Sequence, residues 1–296
     1  MKRRGWVDAL FIFPCALAFL MVIICPFLIG IYYSMTDWDG VNPVITWVGF
    51  ANFAGMFKQP QFLYSFMITL LYTAINIVLV NVAGFLLSLL ATSKAKLRNL
   101  YRAGFFVPNL IGGIVLGYIW QFLFNNVIIN FGSGLGIWFL SSSLIAKPDT
   151  VIWAMSFVNT WQYAGYIMMI YVASIQSVSD SIMEAASVDG ATYITCVRKI
   201  LIPMMANAFT ITIFLTLTTS FKRFDLNFTL TNGGPAMRFM GKAIRSSQLL
   251  AMDIYSTANG LNKMAEAQAK AVVFFILLVV FSLVQVYINK RREVEA

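Results

Sequence analysis

Apolar residues in this chain arrive in long unbroken runs, with little of the alternation that marks half-buried strands. Six runs, at approximately 9–33, 65–92, 104–124, 151–173, 205–224 and 270–289, are long enough to cross the hydrocarbon core of a bilayer as helices. The second is longer than a perpendicular span needs and predicts tilt or projection into water. The fifth is rich in threonine. Pro14 and Pro26 fall inside the first run and predict kinks, with the freed carbonyls satisfied by neighbouring helices. Gly113 and Gly117 form a G-x-x-x-G pair in the third, which predicts close helix packing. No linker, internal repeat or segment for a separate soluble domain stands out, so residues 1–296 read as one all-α membrane domain.

Composition agrees with the pattern. Hydrophobic residues make up 59% of the 296 positions and charged residues 11%, where soluble domains carry about 25% charged. The mean hydropathy is +0.78. The net charge of +9 could suit nucleic acid or a membrane surface, and its distribution decides for the membrane. Lys2, Arg3, Arg4, Lys94, Lys96, Arg98, Arg102, Arg198, Lys199, Lys290, Arg291 and Arg292 lie in the tails and alternate loops that share one side if there are six spans. The short loops of the other side hold only Lys58 and Lys147, which predicts cytoplasmic termini. The long 222–270 segment holds seven more, but long loops translocate largely regardless of charge. The N-terminal run is too long for a signal-peptide core and no small-x-small cleavage site follows it, so it reads as a retained first helix. The absence of histidine removes the commonest general base and metal ligand. Cys15, Cys25 and Cys196 show neither a C-x-x-C spacing nor a disulfide framework.

The polar loop at 175–204 carries the most information. Ser181 and Glu184 form an S-x-x-E capping box that predicts the start of a short helix. Gly190 can adopt the left-handed conformation that ends it. A second helix then runs toward Pro203, where the fifth span can begin. Ala185 and Ala186 would let another protein approach closely. Two readings stand on these residues alone, a well-capped loop and a docking element. Polar stripes occur within two spans. Asn159, Gln162, Tyr163 and Tyr166 share one helical face of the fourth, and Thr212, Thr216, Thr219 and Arg223 share one face of the fifth. Amides, hydroxyls and aromatic rings suit a sugar, so the stripes can line a translocation path. They can equally hydrogen-bond across packed helices. The stretch from Ala236 to Ala243 lacks the first glycine and the Ser or Thr of a phosphate-binding loop, so the chain is not expected to hydrolyse ATP.

Glu184-Ala185-Ala186, then Gly190 after three residues and Ile200-x-Ile202-Pro203 after nine more, resembles the EAA motif of binding-protein-dependent importer permeases. Ile202 stands where that family usually has leucine. The segments Tyr33–Gly40, Gly49–Phe53, Phe224-Asp225, Leu230–Pro235 and Asp253–Tyr255 are similar to carbohydrate-uptake permeases of the MalF, LacF and UgpA type, over nearly the whole chain. This resemblance implies a type I, MetI-like ABC importer permease with six transmembrane helices and a cytoplasmic coupling-helix loop. It implies that Glu184, Ala185, Ala186, Asp189, Gly190 and Pro203 sit where an ATPase docks. It further implies a second homologous, MalG-like permease, two copies of a P-loop ATPase, an extracytoplasmic solute-binding protein and a sugar substrate in a bacterial cell membrane. ATP and magnesium would be used by the ATPase, with no cofactor on this chain and no role for nucleic acid. The alternative is a permease of the same superfamily for glycerol-phosphate-type or other small solutes. An ion-coupled secondary transporter would place acidic groups mid-membrane, and the six runs hold essentially none. An intramembrane enzyme lacks its residues for the same reason.

Overall fold

A computed structural model describes residues 5–93 and 97–290. Of the basic residues that set the expected orientation, Lys2, Arg3, Arg4, Lys94, Lys96, Arg291 and Arg292 lie outside the described residues. The helices are α1 (Leu10–Ser34), α2 (Ala51–Met56), α3 (Pro60–Thr92), α4 (Arg98–Phe106), α5 (Gly113–Gly134), α6 (Pro148–Ser177), α7 (Asp180–Val188), α8 (Tyr193–Met204), α9 (Ala206–Phe221) and α10 (Asp225–Leu230). Strands β1 (Ala236–Phe239) and β2 (Lys242–Arg245) follow, then α11 (Leu250–Tyr255) and α12 (Met264–Lys290). Among the described residues, α1, α3, α5 and α12 are long and apolar enough to cross a membrane, and the bent pair α8–α9 adds a fifth if it counts as one span. The expected fourth span is α6, whose 30 residues are ample for crossing. Its Ser, Thr, Asn and Gln residues dilute its hydropathy.

The third apolar run is where sequence and structure differ most. Instead of one helix over 104–124, α4 ends at Phe106, a 3-10 turn covers Val107–Leu110, and α5 begins at Gly113. Pro108 has no N–H to give, and Gly112 is extended at φ −60°, ψ 141°, so the helical ladder stops and restarts. In the first run Pro14 lies within regular α-helix, whereas at Pro26 the backbone widens. A π turn at Leu20–Ile24 precedes Cys25-Pro26, and another at Val197–Leu201 precedes Ile202-Pro203. The extra residue in the turn absorbs the missing hydrogen bond.

The chain divides into two compact units. One comprises the segment up to Gln59 with Asp253–Ile276. In it, Asn52 Nδ2 closes the end of α1 by donating to the carbonyls of Ser34 (2.9 Å) and Thr36 (2.7 Å). Asp39 accepts from the amides of Val41 (2.9 Å) and Asn42 (2.8 Å) and fixes the following turn. Lys270, 2% exposed, lies 2.9 Å from Asp253 and 3.5 Å from Glu266, and donates to Thr257 Oγ1 at 2.8 Å. Gln59 Nε2 donates to Glu266 at 2.7 Å, so every member of this ionic cluster is tied.

The other unit comprises Pro60–Met252 with the segment from Leu277 on. Its centre is α3 against α6. The buried positions of α3 include Ser65, Thr69, Thr73, Asn76, Gly84, Ser88 and Ala91, a stripe of small and polar residues at three- and four-residue spacing. Phe62, Ile68, Tyr72 and Val80 are buried with them, while Leu71, Val78, Val82, Leu86 and Leu90 on the other face are exposed. This is the arrangement expected where lipid is the solvent, since apolar bulk gains nothing from leaving it and small residues allow close helix contact. A Cβ on Gly84 would come within 2.8 Å of Ile167 Cγ2, and one on Gly165 would overlap the carbonyl of Phe105. The G-x-x-x-G pair behaves likewise, because Gly113 and Gly117 are where Asp225 and Thr229 of α10 come in. The β-hairpin adds a small sheet to the helical fold. The phosphate-loop look-alike forms this hairpin, with Met240 and Gly241 both at positive φ (50° and 77°) as a two-residue turn requires. Upstream, Asn232 and Gly233 are also at positive φ (47° and 79°), and Gly234 N donates to Thr231 O at 2.9 Å, the tight turn that Gly-Gly-Pro predicts.

Candidate functional site: a polar cavity and an exposed loop

α6 and α9 face each other in opposite directions. Between them and the 107–112 break lies a cavity of about 260 Å³ lined by Asn109, Asn159, Tyr163, Tyr166, Ile167, Leu215, Thr216 and Thr219. Five residues of the two stripes therefore meet around one space. Gln162 and Thr212 do not line it. Gln162 is buried and bridges two elements, donating to Ile111 O at 2.9 Å and accepting a short hydrogen bond from Arg223. Thr212 is buried against Tyr171, with 2.7 Å between the hydroxyls.

The cavity is bounded by two polar groups. On one side Asn159 Nδ2 donates to Asn76 Oδ1 at 2.7 Å, and Asn76 donates to Tyr72 O at 2.7 Å and Ser156 Oγ at 3.3 Å. On the other, Tyr171 donates to Asn81 Oδ1 at 2.8 Å, and Asn81 donates to Thr216 Oγ1 at 3.2 Å. These bonds join α3, α6 and α9. Sequence reading missed Asn76, Asn81, Asn109 and Tyr171. Asn76 and Asn81 were findable, because a primary amide inside an apolar run is costly unless it faces protein or water.

The 175–204 loop folds as two helices. α7 begins at Asp180 with Ser179 as its N-cap residue, so the Ser181–Glu184 capping box does not form. Ser181 Oγ instead lies 2.7 Å from Ser179 Oγ, since Ser179 already holds the extended backbone that an N-cap needs (ψ 131°). Gly190 ends α7 as expected. It sits at φ +81°, and Ala191 N reaches back to Ala186 O at 2.9 Å. Thr192 then caps α8 by accepting from Thr195 N at 3.3 Å. α8 runs through Pro203 to Met204, and α9 leaves it at 73°. Glu184, Ala185, Asp189, Gly190 and Pro203 are exposed and Ala186 is half-buried. Beside them, Val188 (88%), Tyr193 (63%) and Ile194 (65%) expose apolar surface on an otherwise polar loop. The opposite face of α8 is buried. Val197, Leu201 and Met205 pack with Val80, Ile167, Tyr171 and Ala208; of these, Ile167 lines the cavity and Tyr171 belongs to its polar network.

A membrane-spanning bundle with a polar cavity and an exposed helical loop on one flank defines a transport permease. Residues 81–294 match the family of binding-protein-dependent transport system inner membrane components, and the chain belongs to that family. It is 40% identical over 286 residues to the probable starch degradation products transport system permease protein AmyD of Thermoanaerobacterium thermosulfurigenes, covering 97% of this chain and 94% of that one. It is 28% identical over 269 residues to the multiple sugar-binding transport system permease protein MsmF of Streptococcus mutans, covering 91% and 90%. In fold it is similar to a chain of a bacterial ABC transporter involved in the import of the acidic polysaccharide alginate, with a TM-score of 0.80 over 98% of this chain and 96% of that one, at 19% identity.

Proposed function

We propose that this chain is the permease subunit of an ATP-driven sugar or oligosaccharide importer and forms half of its translocation path. A homologous permease supplies the other half. Two copies of a P-loop ATPase dock at the loops of the EAA type, and an extracytoplasmic binding protein delivers the solute. Both termini face the cytoplasm. Relatives named for starch products and multiple sugars support the solute class, as does a cavity of amides, hydroxyls and tyrosine rings, which matches the hydroxyls and apolar C–H faces of a pyranose.

The observation that carries the reading is the continuity from loop to cavity. The exposed face of α7–α8 offers Val188, Tyr193 and Ile194 beside Glu184 and Asp189, an apolar patch rimmed by charge. The buried face of α8 packs on Tyr171 and Ile167, which border the cavity. ATP-driven movement at the loop is thereby handed to α6 and α9. The reading is tested by purifying the tagged chain in mild detergent and identifying what co-purifies. A second permease and a P-loop ATPase are expected, and Glu184→Ala should weaken ATPase retention or uncouple hydrolysis from uptake. A pure homo-oligomer in several detergents would sink the proposal. Gly190→Val, which forces a β-branched residue to positive φ, should have the same effect as Glu184→Ala.

A further inference from the structure

Arg223 lies four residues beyond Thr219 and is 7% exposed, beside a cavity with no charged lining residue. Among the described residues no carboxylate forms an ion pair with it. Its guanidinium is held by neutral groups. Nη2 donates to Gln162 Oε1, Nη1 donates to Tyr163 Oη at 3.3 Å, and the guanidinium carbon stands 5.2 Å from the Tyr163 ring centroid. A guanidinium has no acceptor, so it cannot take the Tyr163 proton. That phenolic proton is therefore left to be donated elsewhere, and the ring that carries it lines the cavity. The charge also polarises the phenol and strengthens it as a donor.

We infer that Arg223 is a positioning residue for the transported sugar. It covers part of the Tyr163 ring and fills the acceptor side of its hydroxyl. The rest of the ring and the O–H proton are left for one pyranose unit, which stacks a C–H face on the ring and accepts a hydrogen bond through one of its oxygens. The cavity volume of about 260 Å³ fits a single ring, being just below the roughly 300–1,000 Å³ of pockets for drug-sized ligands. An oligosaccharide would thus pass this point one unit at a time. The inference rests on the reading of the cavity as the solute path.

The test is a double-mutant cycle on uptake of a radiolabelled starch hydrolysate by cells producing the complete transporter, with its binding protein in excess. Tyr163→Phe removes only the hydroxyl, with both its proton and the oxygen that accepts from Arg223, and Arg223→Gln removes the charge and fork. Each should lower the initial uptake rate about tenfold, and the double variant should be no slower than either single one. Complex assembly and ATPase activity without solute should match wild type, which a merely structural role would not allow. If the two losses multiply, or if Arg223→Gln transports normally, Arg223 does not act through Tyr163 and the inference falls. Should Arg223→Gln fail to assemble, Arg223→Lys enters the same cycle, since it keeps charge but not the fork. Tyr163→Ala separates the two ideas. If it too transports normally, the path reading is wrong. If it alone impairs uptake, only the role of Arg223 is refuted.

Discussion

Replacing Tyr171 by phenylalanine isolates the polar node between α3, α6 and α9. The ring would stay where it is, 4.9 Å from Phe209 and 5.8 Å from Phe85 between centroids. Only the hydroxyl is lost, together with its bonds to Asn81 Oδ1 (2.8 Å) and Thr212 Oγ1 (2.7 Å). Hydrogen bonds between membrane helices contribute about 0.6 kcal/mol on average and up to about 1.7. Two bonds therefore give a loss of about 1–3 kcal/mol, toward the upper end because Asn81 Oδ1 is stranded in a buried position. The assay is unfolding of the purified complex in mixed micelles, with Thr212→Val and the double variant alongside. The two single losses should be non-additive, since both remove the same contact. Transport per ATP hydrolysed should fall as well, because the loop-to-cavity packing runs through this side chain. A Tyr171→Phe protein with wild-type stability and stoichiometry would show that the hydroxyl holds nothing together.

Gly165→Ala should cost several kcal/mol, beyond the usual overpacking range of about 1–3, because the new methyl would meet the backbone carbonyl of Phe105. Gly104→Ala, where an added methyl meets nothing within 4 Å, is the control and should be neutral or slightly stabilising by thermal unfolding. Lys270→Met should destabilise by about 3–5 kcal/mol, because it removes the ammonium from beside the buried Asp253, and Asp253→Asn should cost less, because Glu266 at 3.5 Å still faces Lys270. The double replacement should recover part of that loss, and if it does not the pair is incidental. In the 37–46 turn, hydrogen bonds from the Thr46 hydroxyl and amide hold the Asp37 carboxyl below the usual range, and the Asn42 and Val41 amides do the same for Asp39. Both folded values are depressed, so the turn is fully supported above the unfolded value of about 3.9 and loosens as pH falls through the lower folded values. Protection of the Thr46, Val41 and Asn42 amides relative to free peptide at the same pH should hold down to about pH 4 and fall below it, and Asp37→Asn should abolish the Thr46 dependence.

Most of the helical architecture was legible because lipid demands long apolar runs, and five of the six runs coincide with helices. The third run did not, since hydropathy is blind to a Pro-Asn-Leu-Ile-Gly-Gly interruption whose residues are mostly apolar. The stripe on α6 could be read from spacing alone, as 159, 163 and 166 come together at the cavity. Gln162 defeated the same logic. A helical face 100° or more wide also includes residues that point at a neighbouring backbone, here Ile111 O. The capping box failed on a local competition between Ser179 and Ser181, two residues of the same type. The polar interior of α3 went unseen because its small residues look unremarkable inside an apolar run, although their spacing is what places Asn76 and Asn81 beside α6 and α9.

The 73° bend at Met205 makes α8 and α9 the two arms of a crank. α9 has 16 residues, about 24 Å at 1.5 Å per residue. A rotation of about 5° passed through Met205 would swing the far end of that arm by about 2 Å. Thr216 and Thr219 sit toward that end and Met205 is wholly buried, so the pivot is gripped while the working end travels. A small angular stroke of α8 is thus enough to move the cavity wall that Thr216 and Thr219 form.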